Sequence, residues 1–378
     1  MNNNTETNET VVDQSLTKFN LGPGTFLNGT NFCMSSTSWL TLQTYFYNVK
    51  KLPSTIEELS SLLGPSGPSA GELENIIIEY VNLQTQGAMF TNTLYPSIVN
   101  TCFIISRFSE SCTSQYGQLQ LLMEDLTING NPVQNFARLG NQIIELINAI
   151  KLPDIHEFVS ALSLLKSVSM KLNGSLHVTG STTPIPMGTG LYAQNYAQYI
   201  QKNNAVATVF GKLASQISVV YTDQIKCNQK VIAKGEQADY QWNQIFGITS
   251  SLIINGAPGS NGTAALQDLK QLRNNLYHLS HKDQAYVLLM LNISTVTMQY
   301  DTLQSDLTTT ADMLLGIINN WQTLQQNLLS FQNLINGGNP ELIVNALVDI
   351  DFEKLTKDWK NLNQSVNTFT SNANIVIN

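Results

Sequence analysis

The stretch YDTLQSDLTTTADMLLGIINNWQTLQQNLLSFQNLIN, residues 300–336, decides the fold of this chain. Its apolar residues are spaced by alternating threes and fours, with Thr310 as the polar break: Leu303, Leu307, Leu314, Ile317, Trp321, Leu324, Leu328, Phe331 and Ile335. This heptad spacing is typical of a long helix that packs lengthwise against other helices. The spacing continues back to Leu269, and no Pro or Gly interrupts it before Leu315. We therefore predict one helix from about Thr263 to about Asn336.

Helical patterns also cover most of the remaining chain. The other predicted helices cover 35–51, 55–63, 70–126, 132–150, 153–172, 191–245 and 340–370. A bend is expected near Gln86-Gly87, because glycine weakens a helix interior. Since no convincing pair of strands is present, the sequence predicts an all-α fold. Its architecture would be an elongated bundle, or rod, of very long antiparallel helices.

The segment between the two longest patterns, residues 241–267, contains no charged residue. Its apolar patch consists of Ile245, Phe246, Ile248, Leu252, Ile253 and Ile254. Turn or hinge positions are assigned to Gly247, Gly256, Pro258, Gly259 and Gly262. We interpret residues 241–267 as the tip of a long antiparallel hairpin and call this segment the tongue. The alternative is that residues 245–254 form a helix end packed on the bundle.

The domain prediction follows from these patterns. Residues 1–20 form a disordered tail, and residues 21–378 form a single elongated helical domain. Within that domain, 21–240 and 268–378 make the bundle and 241–267 the head with its tongue. The N-terminal residues are polar and acidic, so they do not resemble a secretory signal. No stretch approaches the ~18–20 apolar residues of a transmembrane helix, and we expect a soluble protein as made.

Composition and motifs exclude several classes of function. The net charge is −8 and only 12% of the 378 residues are charged, which argues against a nucleic-acid partner. His278 and His281 lie three apart beside Asp283, but without a third ligand a solvated polar face is the preferred interpretation over a metal site. No phosphate-binding loop, nucleophile motif or HExxH motif is present. The sequence predicts neither an enzyme nor a cofactor.

Cysteine and aromatic residues lead to two smaller expectations. Cys33, Cys102, Cys112 and Cys227 show no CxxC spacing, and Cys102 and Cys112 on one helix would be roughly 15 Å apart, so we expect free thiols. The aromatic residues of the first helix either contact a receptor or lipid headgroup or attach the short N-terminal helices to the bundle: Trp39, Tyr45, Phe46 and Tyr47.

Three stretches carry a resemblance to a known family. Residues 21–32, LGPGTFLNGTNF, and 51–59, KLPSTIEEL, resemble the N-terminal region of the α-xenorhabdolysin A subunit family, as does LYPSI at 94–98. They are also similar to the helical nematicidal crystal toxin of Bacillus thuringiensis. The helix order fits the wider cytolysin A superfamily of α-helical pore-forming toxins. The resemblance covers most of the chain as architecture, and as sequence only these stretches.

The resemblance implies a pore-forming toxin component rather than an enzyme. A soluble monomer, secreted or released without a classical signal peptide, would insert the tongue into a target cell membrane and form a homo-oligomer there. An insect or nematode target belongs to the same expectation. The tongue is more polar than the resemblance implies, and residues 245–254 are too short to cross a bilayer as one helix. We therefore expect a second toxin subunit as partner. The alternative function is a non-lytic helical scaffold or adaptor.

Overall fold

The computed structural model describes residues 19–28, 31–34, 37–128, 132–151, 156–176, 199–233, 239–240, 260–337, 340–372 and 376–377. The helices are α1 Thr37–Val49, α2 Ile56–Leu63, α3 Ala70–Met89, α4 Tyr95–Ile128, α5 Pro132–Ala149, α6 His156–Leu176, α7 Asn204–Ala233, α8 Ser260–Tyr277, α9 His281–Asn336, α10 Pro340–Val348 and α11 Phe352–Asn372. The expectation of an all-α fold is confirmed.

Strands in the described residues are limited to two short pairs, neither of which was predicted. β1 (Leu27–Asn28) pairs antiparallel with β2 (Asn31–Phe32). β3 (Asp239–Tyr240) pairs in parallel with β4 (Val376–Ile377). Each strand has two residues, too few to give a clear alternation of apolar and polar positions in the sequence.

The chain divides into two compact units, which share helices α4, α9 and α11. The first unit comprises Met1–Gly24, Arg107–Pro153 and Asn319–Asn363. The second comprises Thr25–Ser106, Asp154–Ile318 and Gln364–Asn378. The predicted single domain, with its tail, bundle and head, stays a prediction. Residues 1–18 of the predicted tail lie outside the described residues.

The core of the first unit is built on aromatic residues. The Phe108 ring meets the rings of Trp321 and Trp359 edge-on, with centroids 4.8 and 5.2 Å away. The Trp359 indole is fully buried, and its Nε1 donates a hydrogen bond of 2.9 Å to the carbonyl oxygen of Leu21. Phe19 packs on Phe331 at 5.2 Å, so the N-terminal segment is held against this core.

Neutral side-chain amides also attach separate segments within the first unit. Asn320 donates to the carbonyl oxygen of Pro23 at 2.8 Å, and Asn327 donates to that of Asn20 at 3.1 Å. Gln332 donates to the carbonyl oxygen of Ile147 at 3.1 Å. We call these three hydrogen bonds the amide ties. They satisfy backbone acceptors that lie outside regular secondary structure or at a helix end.

The aromatic residues of α1 form the core of the second unit. Trp39 stacks on Tyr95 at 5.9 Å, and Phe46 stacks on Phe90 at 4.4 Å. Trp39, Tyr45 and Phe46 are buried, so these three attach α1 to the rest of the unit. This agrees with the interpretation in which the aromatic residues hold the short N-terminal helices on the bundle. Tyr47, the last of the four, is half-buried.

The heptad pattern of residues 300–336 is confirmed. All nine of its apolar residues are buried in α9, and Thr310 is buried with them. With 56 residues, α9 is about 84 Å long at 1.5 Å per residue. Helices of this length are typical of bundles in which the helices cover one another lengthwise.

The predicted continuous helix from Thr263 to Asn336 is wrong, because α8 ends at Tyr277 and α9 begins at His281. Ser280 forms the N-cap of α9: its hydroxyl accepts from the Asp283 amide at 3.2 Å and donates to the Asp283 carboxylate at 2.6 Å. This reciprocal capping favours a new start over continuation.

The predicted helix from Pro340 to Thr370 is also interrupted, between Val348 and Phe352. Here Asp351 acts as the cap, because its carboxylate accepts from the Lys354 amide at 2.8 Å. Asp at a cap satisfies an amide that the helix itself leaves unpaired, so the pattern of apolar residues alone did not reveal the break.

The bend near Gln86-Gly87 stays a prediction: α3 continues through both residues, and a π-helical segment follows it at Phe90–Leu94. Pro96 follows this segment and lacks the amide hydrogen that an α-helix would use at that position. The wider turn, in which the Tyr95 amide donates to the Phe90 carbonyl, accommodates the proline. Gly87 instead lies close to α1: a Cβ there would stand 2.8 Å from the Phe46 carbonyl oxygen.

Three of the four cysteines are free, as expected. Burial raises the pKa of the Cys33 thiol to about 12. Burial likewise raises the pKa of Cys102 and of Cys112. The reactive thiolate form is therefore scarce, which makes these thiols structural rather than catalytic. The side chain of Cys227 lies outside the described residues.

Candidate functional site

The predicted tongue lies largely outside the described residues. This applies to all six residues of its apolar patch: Ile245, Phe246, Ile248, Leu252, Ile253 and Ile254. It also applies to four of its turn or hinge positions: Gly247, Gly256, Pro258 and Gly259. The fifth, Gly262, lies in the first turn of α8 rather than in a turn before the helix. The membrane-inserting role of the tongue stays a prediction.

The two helices that flank the tongue in sequence, α7 and α8, pack against each other. The buried apolar residues are Val206, Phe210, Leu213, Ile217 and Val220 on α7 and Leu269, Leu272 and Leu276 on α8. A polar contact, from the Gln216 amide to the Asp268 carboxylate at 3.3 Å, accompanies them. We call this pair the α7–α8 hairpin.

The chain enters and leaves the α7–α8 hairpin at two helix breaks. The predicted helix 191–245 is interrupted at 202–203, where the Asn203 side chain accepts from the amides of Ala205 and Val206 at 3.2 and 3.4 Å. Residues 191–198, 234–238 and 241–245 of the predicted helix lie outside the described residues, and Asp239–Tyr240 forms β3 instead of continuing the helix. The second break is 278–280, between α8 and α9. There the Gln284 side chain donates to the Leu279 carbonyl oxygen at 2.9 Å.

Side chains from either side of the hairpin meet at these breaks. The Tyr199 hydroxyl donates to the Asp283 carboxylate at 2.9 Å, and its ring stacks on Tyr286 with centroids 4.2 Å apart. The Lys282 ammonium lies 5.6 and 5.8 Å from the centroids of the two rings, within the range of cation–π attraction. We call Tyr199, Lys282, Asp283 and Tyr286 the junction cluster.

The electrostatics of the junction cluster agree with this geometry. Burial, and then the hydrogen bond to Asp283, raise the pKa of Tyr199 to about 12, so the hydroxyl remains a donor at neutral pH. Hydrogen bonds from Ser69 hold the pKa of Glu72 below its usual range, and the positive charge of Lys282 contributes in the same direction. The first turn of α3 therefore lies beside the cluster with a negative charge near Lys282.

Sequence reasoning missed the junction cluster and misplaced the two histidines near it. His278 lies in the break and His281 is the first residue of α9, so they do not share a helix as predicted. The carboxylate of Asp283, the acidic residue that the sequence places beside the two histidines, accepts hydrogen bonds from the hydroxyls of Ser280 and Tyr199. Within the described ranges, no group of three or more His, Cys, Asp or Glu could hold a metal ion. The capping pattern Ser280-His-Lys-Asp283 was the available signal for the break.

Across the part of the chain that the structure covers, no helix is both long and apolar enough to cross a membrane.

Comparison with known proteins identifies the fold. No protein-family model matches the chain, and no curated protein matches it in sequence. Among solved structures, the HblL1 toxin component of Bacillus cereus matches with a TM-score of 0.55 and 16% identity, covering 94% of this chain and 100% of its own. Soluble SmhA, of the tripartite α-pore-forming toxin Smh from Serratia marcescens, matches with a TM-score of 0.55 and 15% identity, covering 95% and 96%.

These two matches extend over almost the whole of each chain, so the similarity is one of complete folds. At 15–16% identity the likeness establishes the fold. The helical toxin fold that the resemblance implied is thereby confirmed.

Proposed function

We propose that this chain is a component of a pore-forming toxin. The end-to-end fold similarity to HblL1 and SmhA, two toxin components from different bacteria, carries the proposal. The charge-free composition of residues 241–267, which follow α7 in sequence and extend into the first two turns of α8, supports it. A scaffold has no need of an uncharged, glycine-rich segment at that place.

The physical basis of the activity is the exchange of one apolar environment for another. Apolar residues that are covered by protein in water lose little when lipid replaces that cover. Helices satisfy their own backbone hydrogen bonds, which any membrane-inserting element requires. We propose that the tongue, with Ile248 and Leu252 in its apolar patch, is the part that enters the membrane. Several copies of the chain would then assemble on the target membrane.

The polar residues of the tongue favour action with a partner. Thr249, Ser250, Ser251 and Asn255 interrupt or follow the apolar patch, so its insertion by a single chain is weakly favourable. SmhA belongs to a tripartite toxin. We propose that this chain likewise acts with at least one further toxin component, after secretion or release, on the membrane of a target cell.

Dye release from liposomes and from target cells tests the proposal. The purified chain is added alone and together with candidate partner components, and is compared with the double variant Ile248→Asp, Leu252→Asp. We expect release by the wild type in at least one combination and a loss of at least tenfold in the double variant, because two carboxylates oppose entry into lipid. The matched control is Leu329→Asp with Val348→Asp, at exposed apolar positions of α9 and α10.

Each outcome decides a different part of the proposal. If the wild type neither releases dye nor binds membranes in any combination, the toxin function is refuted and the scaffold alternative takes its place. If the double variant is as active as the wild type while dye is released, the tongue has been assigned to the wrong residues. If the control pair loses as much activity as the tongue pair, added charge rather than position explains the loss.

A further inference from the structure

We propose that the junction cluster is a clasp that joins the two ends of the α7–α8 hairpin, and that this clasp must open before the hairpin can move. The effect of the clasp on membranes rests on the proposed function. Its effect on the motions of the hairpin in water does not.

The position of the cluster relative to the chain carries this inference. Tyr199 precedes the first helix break, at 202–203, and Asp283 follows the second, at 278–280. Every residue of the α7–α8 hairpin lies between these two positions in sequence. The contact between them, 84 residues apart, therefore closes the hairpin at its base.

The two breaks are the natural places for movement. Within a helix, each residue is fixed by the hydrogen bonds of the neighbouring turns, whereas a break carries few of them. At 278–280 the amides of His278 and Leu279 still donate to carbonyl oxygens of α8, and the bonds of Ser280 and Gln284 described above add further restraints. With the base open and the contact between α7 and α1 released, the hairpin could rotate about both breaks without disrupting α7 or α8.

Three different interactions hold the clasp, and they share residues. The Asp283 carboxylate uses one oxygen for the Tyr199 hydroxyl and the other for the Ser280 hydroxyl, so the cap of α9 and the clasp depend on the same group. The stacked rings of Tyr199 and Tyr286 position that hydroxyl, and Lys282 lies close to both rings. Shared groups make the interactions mutually supporting.

The exposure of the clasp makes it reversible. Tyr199, Asp283 and Tyr286 are only half-buried and Lys282 is exposed. Water can therefore replace each hydrogen bond when the clasp opens, and no fully buried polar group is left unpaired. A contact of this kind holds the hairpin in solution without preventing a later rearrangement.

Hydrogen–deuterium exchange in solution tests the clasp without any membrane. We expect Tyr199→Phe, which keeps the ring and removes the hydroxyl, to accelerate exchange near the hairpin base about tenfold, at 204–210 and 272–277. Tyr199→Ala, which removes the stack as well, should accelerate it about a hundredfold. The matched control is Tyr277→Phe, which removes the hydroxyl of a half-exposed tyrosine outside the cluster and should leave α7 unchanged. Unchanged exchange in both Tyr199 variants would overturn the inference.

A reversible cross-link tests the consequence for activity. Tyr199→Cys and Tyr286→Cys are combined and joined with a short bis-methanethiosulfonate reagent, which forms a mixed disulfide with each thiol and releases sulfinate. We expect the linked protein to lose at least tenfold in dye release and to recover it after reduction. The variants Tyr199→Cys alone and Tyr286→Cys alone, treated in the same way, are the controls, and they also control for reaction at the four native cysteines. Full activity of the linked protein would overturn the clasp. Absence of dye release by the wild type would refute the proposed function, and the exchange measurements would still decide on the clasp.

Discussion

Replacement of Gly87 by alanine sets two opposing effects against each other. In the interior of a helix such as α3, alanine is favoured over glycine by about 1 kcal/mol. At this position, however, the new Cβ would stand 2.8 Å from the Phe46 carbonyl oxygen, 2.9 Å from Lys50 Cγ and 3.0 Å from Val49 Cγ2. Overpacking of this kind costs about 1–3 kcal/mol. Because a backbone oxygen cannot rotate away, we place the cost near the upper end and expect a net loss of about 1–2 kcal/mol.

Thermal and urea denaturation followed by circular dichroism measure this loss. For a chain of 378 residues that unfolds in one transition, 1–2 kcal/mol corresponds to a decrease in Tm of roughly 1–3 °C. Gly211→Ala in α7 is the matched control, because no atom lies within 4 Å of the Cβ it would introduce. The control should gain about 0.5–1 kcal/mol. Equal gains in both variants would refute the close approach of α3 to α1.

Two further predictions concern a buried hydrogen bond and a half-buried carboxyl group. Trp359→Phe removes the indole that donates to the Leu21 carbonyl and should destabilise the protein by about 2 kcal/mol, seen as a lower urea midpoint; an unchanged midpoint would contradict it. Burial raises the pKa of the Asp306 carboxyl in the folded protein, although hydrogen bonds from Ser38 and Thr41 act in the opposite direction. The contribution of this group to the free energy of unfolding therefore increases as pH falls through its folded pKa. Asp306→Asn should therefore increase Tm at pH 7 and reduce this pH dependence, and a lower Tm at pH 7 would show that the charge itself is needed.

Features of the fold that repeat along the sequence could be predicted, whereas features that depend on a single side chain could not. The core face of α9 was predictable, because the apolar residues of a buried helix face recur at regular spacing along the sequence. The breaks at Ser280 and Asp351 were missed, because one capping side chain is enough to end a helix without disturbing the apolar spacing. The π segment before Pro96 was not predicted, and Gly87, where a bend was expected, lies in close contact with α1.

The candidate site was less predictable than the fold. The tongue stays a prediction, and it rests on the lack of charged residues in 241–267, a property of composition that needs no knowledge of contacts. The junction cluster depends on Tyr199 and Asp283, which are far apart in sequence and are ordinary surface residue types. Only the arrangement of the helices brings the two side chains together, so no local pattern could have joined them. The capping signal at Ser280 would have indicated the break but not the tyrosine that closes it.

The amide ties of the first unit determine how the attachment of its N-terminal segment responds to pH and salt concentration. Asn320, Asn327 and Gln332 donate neutral hydrogen bonds to backbone oxygens, and neither partner ionises between acid and alkaline pH. Mobile ions weaken attraction between charges over about 10 Å at 0.1 M salt, but they do not screen a contact that carries no net charge. Attachment at these three points is therefore insensitive to salt concentration and to pH.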